Sequence, residues 1–382
     1  MTNYNHTEYI LIENNADLER IALELQKEPA IGVDLEGDSM FHYQEKVCLL
    51  QISTHSLNIV IDPLSVGDFS PLDPIFADAH IRKVFHGADY DMRSLYRDFG
   101  IEVHSLFDTQ IAAKFLGLRE TGLASLLKEK FCILSNKKYQ KKDWSQRPLP
   151  ADMLQYAVQD ICYLLPLAGI LEKQLIENGR LFCVNEESEL LSRVRPNSSA
   201  IRPFFLSFKG ASRLDPRSLA VLEKILCFRD QVARRQDRPH FKVMGNQPIM
   251  EIVRMRPMSQ SDFVGIMGLS RKQIEHMGGS LIEKIKEGLD LPEEELPVYP
   301  NKSGERLRSK EAARVKALKE WRQRIGGKTG IDPSLVCTNA QIRALAIANP
   351  QEPEGMECIK EIRKWQIKLF GPNICNVLQK SW

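Results

Sequence analysis

A link of four residues constrains the fold of this chain most tightly. Two β-rich runs, residues 47 to 53 and 58 to 62, are separated only by Thr54 to Leu57. A connection of hairpin length cannot carry a crossover, so these two runs pair antiparallel. Further runs at Ala30 to Leu35, Lys83 to His86 and Val103 to Phe107 alternate with helical periodicity, which argues for an α/β domain. A wholly parallel, doubly wound sheet is therefore excluded and a mixed sheet is expected. After Asp108 the strand signal gives way to helical patterns at Thr109 to Leu116, Gly122 to Phe131 and one long stretch from Ala151 to Glu177.

Breaks in composition divide the 382 residues further. Glu186 to Phe208 holds Arg195-Pro196-Asn197-Ser198-Ser199 and Arg202-Pro203, and Pro292 to Gly304 holds three glutamates, two further prolines and Asn301-Lys302-Ser303-Gly304; both read as linkers. They imply an α/β domain over residues 1–185 and all-α helical modules over 210–292 and 305–382, each with a Pro-marked turn, a helix rich in Leu, Lys and Arg, and further helices. The formal charge of +2 is unevenly spread: residues 1–200 sum to −9 and residues 201–382 to +11. A basic half suits a polyanionic partner, although a solvated helical surface carries the same charge. The eight cysteines stand singly, with no CxxC and no Cys and His spacing of a zinc site, so neither a disulfide framework nor structural zinc is indicated. No basic segment followed by an apolar run opens the chain, and no stretch approaches about 18 consecutive apolar residues. A cytoplasmic, monomeric protein with no membrane partner is expected.

Three short patterns carry candidate chemistry. Ile31-Gly32-Val33-Asp34-Leu35-Glu36 is an apolar strand ending in two carboxylates, and the strand period of two puts Asp34 and Glu36 on one face. Adjacent acids repel, and a hard divalent cation with oxygen ligands relieves the repulsion; taken alone, the pair is more often a solvated surface feature. Val84-Phe85-His86-Gly87-Ala88-Asp89-Tyr90-Asp91 turns from a strand into a helix, where either Asp89 or Asp91 could equally serve the helix dipole. Tyr156-Ala157-Val158-Gln159-Asp160 places a phenol and an acid four apart, on one helix face. An ordinary amphipathic edge has the same spacing.

Order and context decide between these readings. The series Asp34, Glu36, Asp91, Tyr156 and Asp160 resembles the DEDD exonuclease superfamily in its tyrosine subclass. The blocks His86 to Asp91, Leu106-Phe107-Asp108-Thr109 and Asp143-Trp144-Ser145-Gln146-Arg147-Pro148-Leu149 are similar to those of the ribonuclease D family. The resemblance covers residues 28 to 180, and the helical modules resemble helicase and ribonuclease D C-terminal (HRDC) domains. It implies a ribonuclease-H-like mixed-sheet nuclease that removes nucleotides from RNA 3′ ends, with transfer RNA precursors as the expected substrate, by hydrolysis with two Mg²⁺ or Mn²⁺ ions about 4 Å apart. It further implies that Asp34 bridges both ions, that Glu36 and Asp160 complete the site of the water-activating ion, that Asp91 supports the other, and that Tyr156 orients the attacking water.

For nucleic acid, Lys137, Lys138, Lys141 and Lys142 interleave with Tyr139 and Trp144, a combination that neutralises phosphates and stacks bases. Phe41 is a candidate contact near the terminal nucleotide, although it could equally pack under a loop, and His86 is a further candidate nucleic-acid contact that, taken alone, reads as a turn or packing residue. Arg234 and Arg235, with Arg229 and Arg238, form a basic cluster in the first module, and Arg306, Arg308, Lys310, Arg314 and Lys316 form one in the second. A fragment ending near Arg202 is expected to remain an active nuclease. Two other functions share some of these features: a DNA 3′-5′ exonuclease, since DNA enzymes carry the same acids, and a catalytically silent RNA-binding scaffold, against which the complete acid set argues because unpaired buried carboxylates are costly. No GxxxxGK[ST] loop is present, so the chain is not a helicase.

Overall fold

The structure, a computed structural model, describes residues 8–134, 138–196, 202–300 and 307–380. Six strands, β1 (Ile10–Ile12), β2 (Ala30–Gly37), β3 (Val47–Ser53), β4 (Asn58–Ile61), β5 (Arg82–Phe85) and β6 (Leu106–Asp108), form one sheet in the order β1-β4-β3-β2-β5-β6. The four-residue link does what its length requires: β3 and β4 pair antiparallel, and Thr54 N–H donates to Leu57 O at 2.8 Å to close the turn. β2 pairs antiparallel with β3 and parallel with β5, so the sheet is mixed and the Asp34 strand is central. β1 has only three residues at an edge, too short to register as a period. The run at Val103 becomes a ladder strand only from Leu106; Ile101 and Val103 are apolar because they enter the core, not because they pair.

Helices α1 (Asn15–Leu25), α2 (Asp73–Ala77) and α3 (Asp89–Phe99) share a core with Ile31, Val33, Leu35 and Phe85. On the other side of the sheet lie α4 (Thr109–Phe115), α5 (Leu123–Phe131), α6 (Ala151–Cys162), α7 (Leu164–Glu177) and α8 (Leu181–Ser192). The expected single helix from Ala151 to Glu177 is two. Pro166 lacks the N–H that would bond the carbonyl four residues back, and the chain breaks at Tyr163. This stretch is apolar and long enough to cross a membrane by composition, but 61% of its apolar 18-residue window is buried in the fold.

One compact unit contains residues 38–46 and 197–304, with α9 (Pro216–Gln236), α10 (His240–Val243), α11 (Asn246–Met255) and α12 (Arg271–Leu289) around a core that includes Leu222, Ile249, Phe263 and Ile285. The second helical module, α13 (Ser309–Thr329), α14 (Pro333–Val336), α15 (Asn339–Ala348) and α16 (Lys364–Gln379), belongs instead to the same unit as the sheet. Its Leu318, Trp321 and Trp365 join a core with Phe115, Leu126 and Leu164. Trp365 meets Phe115 edge-on at 5.1 Å, its indole N–H donates to Glu187 at 2.7 Å, and Glu186 accepts the backbone N–H of Lys364 and Trp365. Arg180 ties both parts, donating to Phe115 O and Thr329 O. The backbones come so close that a Cβ on Gly117 would lie 2.5 Å from Gly330 O.

The shared plan of the modules is an internal repeat. Helix lengths run 21, 4, 10, 19 and 21, 4, 10, 16 residues. Arg229 donates to Met244 O and Asn246 Oδ1, as Arg322 does to Cys337 O and Asn339 Oδ1. Gln273 donates to Val243 O as Gln366 does to Val336 O. Arg229 therefore fastens a helix corner. Arg314, 9% exposed and donating to Ala346 O, is likewise structural. Neither tracks phosphates.

Candidate active site

Asp34 and Glu36 lie on the face of β2 that carries Gly32. A Cβ on Gly32 would sit 2.5 Å from Ser53 Oγ and 3.1 Å from Leu164 Cβ, so only glycine lets the helical layer approach there. Ser53 Oγ donates to Ile161 O at 2.9 Å and fixes α6 over the sheet. The i, i+4 spacing then points Tyr156 and Asp160 at the strand acids. Asp34, Glu36 and Asp160 each offer a carboxylate oxygen, and all three lie within 4.8 Å of one another.

Their protonation shows the strain of that arrangement. Burial, and then the charges of Asp91 and Asp160, hold the Asp34 carboxyl well above its ordinary range; burial and Asp34 do the same to Glu36. Burial pushes Asp160 up to about 7 against the opposing hydrogen bond from Tyr156. Burial and Asp108 push Asp91 up to about 7. Asp91 lies outside the close trio but near enough to act on Asp34. Asp89, the other candidate, is exposed and paired with Arg93 at 2.9 Å. The Tyr156 hydroxyl is held far above its ordinary value by burial and by the charges of Asp160 and Glu36, so it keeps its proton at any physiological pH. Clustered carboxylates that resist ionisation fit a hard divalent cation, which would restore their charge.

Asp108 is a residue whose part the sequence did not reveal. It is fully buried, and its carboxylate accepts from Gly87 N and Ala88 N, the turn that delivers α3 and Asp91, and from Gln110 N and Ile111 N at the start of α4. An Asp before a helical run announces a cap; that it also holds a second helix entry depends on β5 and β6 being neighbours. Asp108→Asn turns an amide NH₂ toward backbone donors, at a cost of about 1–3 kcal/mol, and loosens Asp91. A lower Tm with at least a tenfold loss of turnover is expected; single-turnover rates and a thermal melt check both.

A cavity of about 340 Å³, large enough for a small ligand, is lined by Asp34, Glu36, Tyr156 and Asp160 together with His86 and Gln110. Other sequence candidates are not among its lining residues. Phe41 belongs to the compact unit of residues 38–46 and 197–304, where the Lys242 amine sits 4.1 Å over its ring. Arg234 and Arg235 are exposed on α9, Arg234 lying over the Tyr43 ring. Lys138, Lys141 and Lys142 are exposed; Lys137 lies outside the described residues. Trp144 is 1% exposed, and both it and Tyr139 pack toward Tyr156, with ring centroids 6.3 and 5.7 Å away. Trp144 therefore supports the site and offers no face for stacking a base.

Comparison with known proteins gives a consistent result. Residues 9–176 match the 3′-5′ exonuclease family, and residues 218–285 and 311–378 each match the HRDC domain. The chain is 28% identical over 372 residues to ribonuclease D of Pseudomonas paraeruginosa, covering 97% of each. It is similar to the crystal structure of Escherichia coli RNase D, described as an exoribonuclease involved in structured RNA processing, with a TM-score of 0.72 at 26% identity over 98% of this chain and 99% of that one. The catalytic core of RRP6 from Trypanosoma brucei aligns with a TM-score of 0.64 at 31% identity, covering 76% of this chain and 81% of that one. With its acid cluster on a mixed sheet and its two HRDC repeats, the chain belongs to the ribonuclease D family of 3′-5′ exonucleases.

Proposed function

We infer that this chain is a metal-dependent 3′-5′ exoribonuclease, and the observation that carries the inference is the convergence of Asp34, Glu36 and Asp160 within 4.8 Å beside Tyr156 in one cleft. We assign Asp34, Glu36, Asp91 and Asp160 as the residues that hold two Mg²⁺ or Mn²⁺ ions. Such ions supply a polarised water and the positive charge that offsets a phosphodiester turning more anionic as it is attacked. The protein's own part is to bind and orient. Tyr156, always protonated, positions the attacking water by hydrogen bonding and does not act as its base. Exposed Lys138, Lys141 and Lys142 neutralise the backbone of the incoming strand, with Arg234 and Arg235 adding phosphate contacts in the first HRDC domain. The substrate we propose is the single-stranded 3′ end of a transfer RNA precursor, trimmed by a monomer in the cytoplasm.

End-labelled single-stranded RNA and DNA of equal sequence, incubated with Mg²⁺, with Mn²⁺ or with chelator, test this reading. Shortening of RNA from the 3′ end only with metal supports it; an intact RNA ladder under both metals overturns it. Tyr156→Phe is expected to lose about a hundredfold in single-turnover rate with little change in RNA affinity or Tm. A loss below about threefold, under 1 kcal/mol of barrier, counts against the positioning role.

A further inference from the structure

One group in the cleft is unused by this mechanism. The His86 ring lines the cavity beside Asp34, Glu36 and Tyr156, and its Nε2 is sealed from bulk water yet has no hydrogen-bond partner. Its other nitrogen is fully committed. Nδ1 lies 2.9 Å from Thr109 Oγ1, and that hydroxyl spends its single proton on Phe85 O, also at 2.9 Å. With its proton given away, Thr109 Oγ1 can only accept, so Nδ1 carries the ring proton. Burial outweighs the pull of Asp108 and of the Thr121 carbonyl and drives the imidazole pKa down to about 4, so the ring is neutral in the working range. Nε2 is left as a buried, unpartnered lone pair on a ring that lines the substrate cleft.

A bare lone pair selects its ligand by chemistry. It cannot bind a phosphate oxygen, which has no proton to offer, and it repels carboxylates. Among the parts of an RNA end, a ribose hydroxyl suits it, because it donates to Nε2 and still accepts from elsewhere. We propose that His86 Nε2 accepts a hydrogen bond from a ribose 2′-hydroxyl of the bound 3′ end and so makes the nuclease favour RNA over DNA. The proposal rests on the exonuclease reading above and names what the same cleft recognises. The 2′-hydroxyl is the group that distinguishes the two polymers, and a site built to bond a hydroxyl rejects the analogue that lacks it, because its own polar group is stranded.

The test uses the full chain and a short oligoribonucleotide carrying a single 2′-deoxy substitution at each of its last three nucleotides in turn, with a further version ending in a 3′-deoxy sugar. The wild type is expected to lose about tenfold in kcat/KM when one of the 2′-hydroxyls is removed. His86→Ala should cleave the all-ribose strand about tenfold more slowly and be indifferent to that same substitution. His86→Gln, which keeps a carbonyl acceptor, should recover part of the preference, and Thr109→Val, which frees Nδ1, should weaken it. In an Asp34→Asn background the same pattern should appear in binding affinity measured by anisotropy, with no hydrolysis required. Nitrogen-15 shifts should place the ring proton on Nδ1. Equal 2′-deoxy penalties in wild type and His86→Ala, a penalty that follows the 3′-hydroxyl alone, or a proton on Nε2 each overturn the proposal. A wild type inactive on all-ribose RNA with both metals overturns the exonuclease reading itself, and the binding and tautomer measurements then still judge His86.

Discussion

Asp34→Asn is expected to abolish hydrolysis, by about a thousandfold or more, while RNA affinity stays close to that of the wild type. The substitution removes charge from the centre of the carboxylate cluster, where a divalent cation must be held, and touches no lysine or arginine. It should also leave a signature that needs no substrate. Asp91 and Asp160 titrate at about 7 in the folded protein, above the roughly 4 of an unfolded chain. A carboxyl raised on folding binds its proton more tightly when folded, so its contribution to stability is fully present below about pH 4 and is lost as pH rises toward 7. Metal-free protein should therefore gain little Tm from added Mg²⁺ or Mn²⁺ at pH 5 and considerably more at pH 8, with protons released on binding. Asp34→Asn should shrink the pH 8 gain and raise the metal-free Tm, because one of the mutually repelling acids is gone. Calorimetric melts at two pH values decide this. A mutant with wild-type turnover, or an undiminished metal-dependent rise, would falsify the assignment of Asp34.

Removing residues 305–382 is expected to leave a protein that does not fold to a soluble monomer. The sequence points the other way, toward an autonomous nuclease ending near Arg202, and the structure supplies the reason to revise that expectation. Phe115, Leu126, Leu164 and Leu171 share one core with Leu318, Trp321, Trp365 and Phe370, so the cut opens a core instead of severing a linker. At about 25 cal/mol per Å² of apolar surface, the exposure of several such side chains is comparable to the 5–15 kcal/mol that holds a typical domain together. Trp365→Ala is the milder probe: it removes the edge-on contact with Phe115 and the indole donor to Glu187, which keeps Arg363 at 3.5 Å, at an expected 3–5 kcal/mol. Circular dichroism and sedimentation of the truncated chain, with a denaturant melt of the point variant, test both. A truncated protein that melts cooperatively near the full-length Tm would show that the shared core contributes little.

These two outcomes mark where the sequence was informative. The mixed sheet was readable because a four-residue link permits one strand geometry. The acids on β2 and α6 were readable because periods of two and of four place residues on a face whatever lies opposite. Asp91 could be separated from Asp89 only by resemblance, since both sit in the first turn of α3; burial distinguishes them. Three readings failed for one reason, which is that a side chain's type does not say what it will meet. Trp144 reads as a stacking platform and is a buried prop. Arg229 and Arg314 read as phosphate contacts and are spent on backbone carbonyls. The second helical module reads as separate from the nuclease, and α16 turns partly toward the nuclease core. His86 reads as a packing residue, and what makes it notable, a tautomer fixed by a neighbour's hydroxyl, depends on β5 and β6 lying side by side.

The tandem repeat has a consequence for how such a chain can change over generations. Gln273 and Gln366 hold equivalent places, so the residues just before them, Lys272 and Trp365, are counterparts. Lys272 is exposed, whereas Trp365 is buried against Phe115. Once the copies had diverged at that position they ceased to be interchangeable. Unequal recombination between the two coding segments, or copying of the first over the second, sets an ammonium group where an indole belongs and uncovers the nuclease core. Duplicated DNA ordinarily invites such exchange. Here an exchange in that direction forfeits the edge-on contact with Phe115 and its several kcal/mol, so a single packed aromatic ring penalises the mixing of the two halves of the duplication.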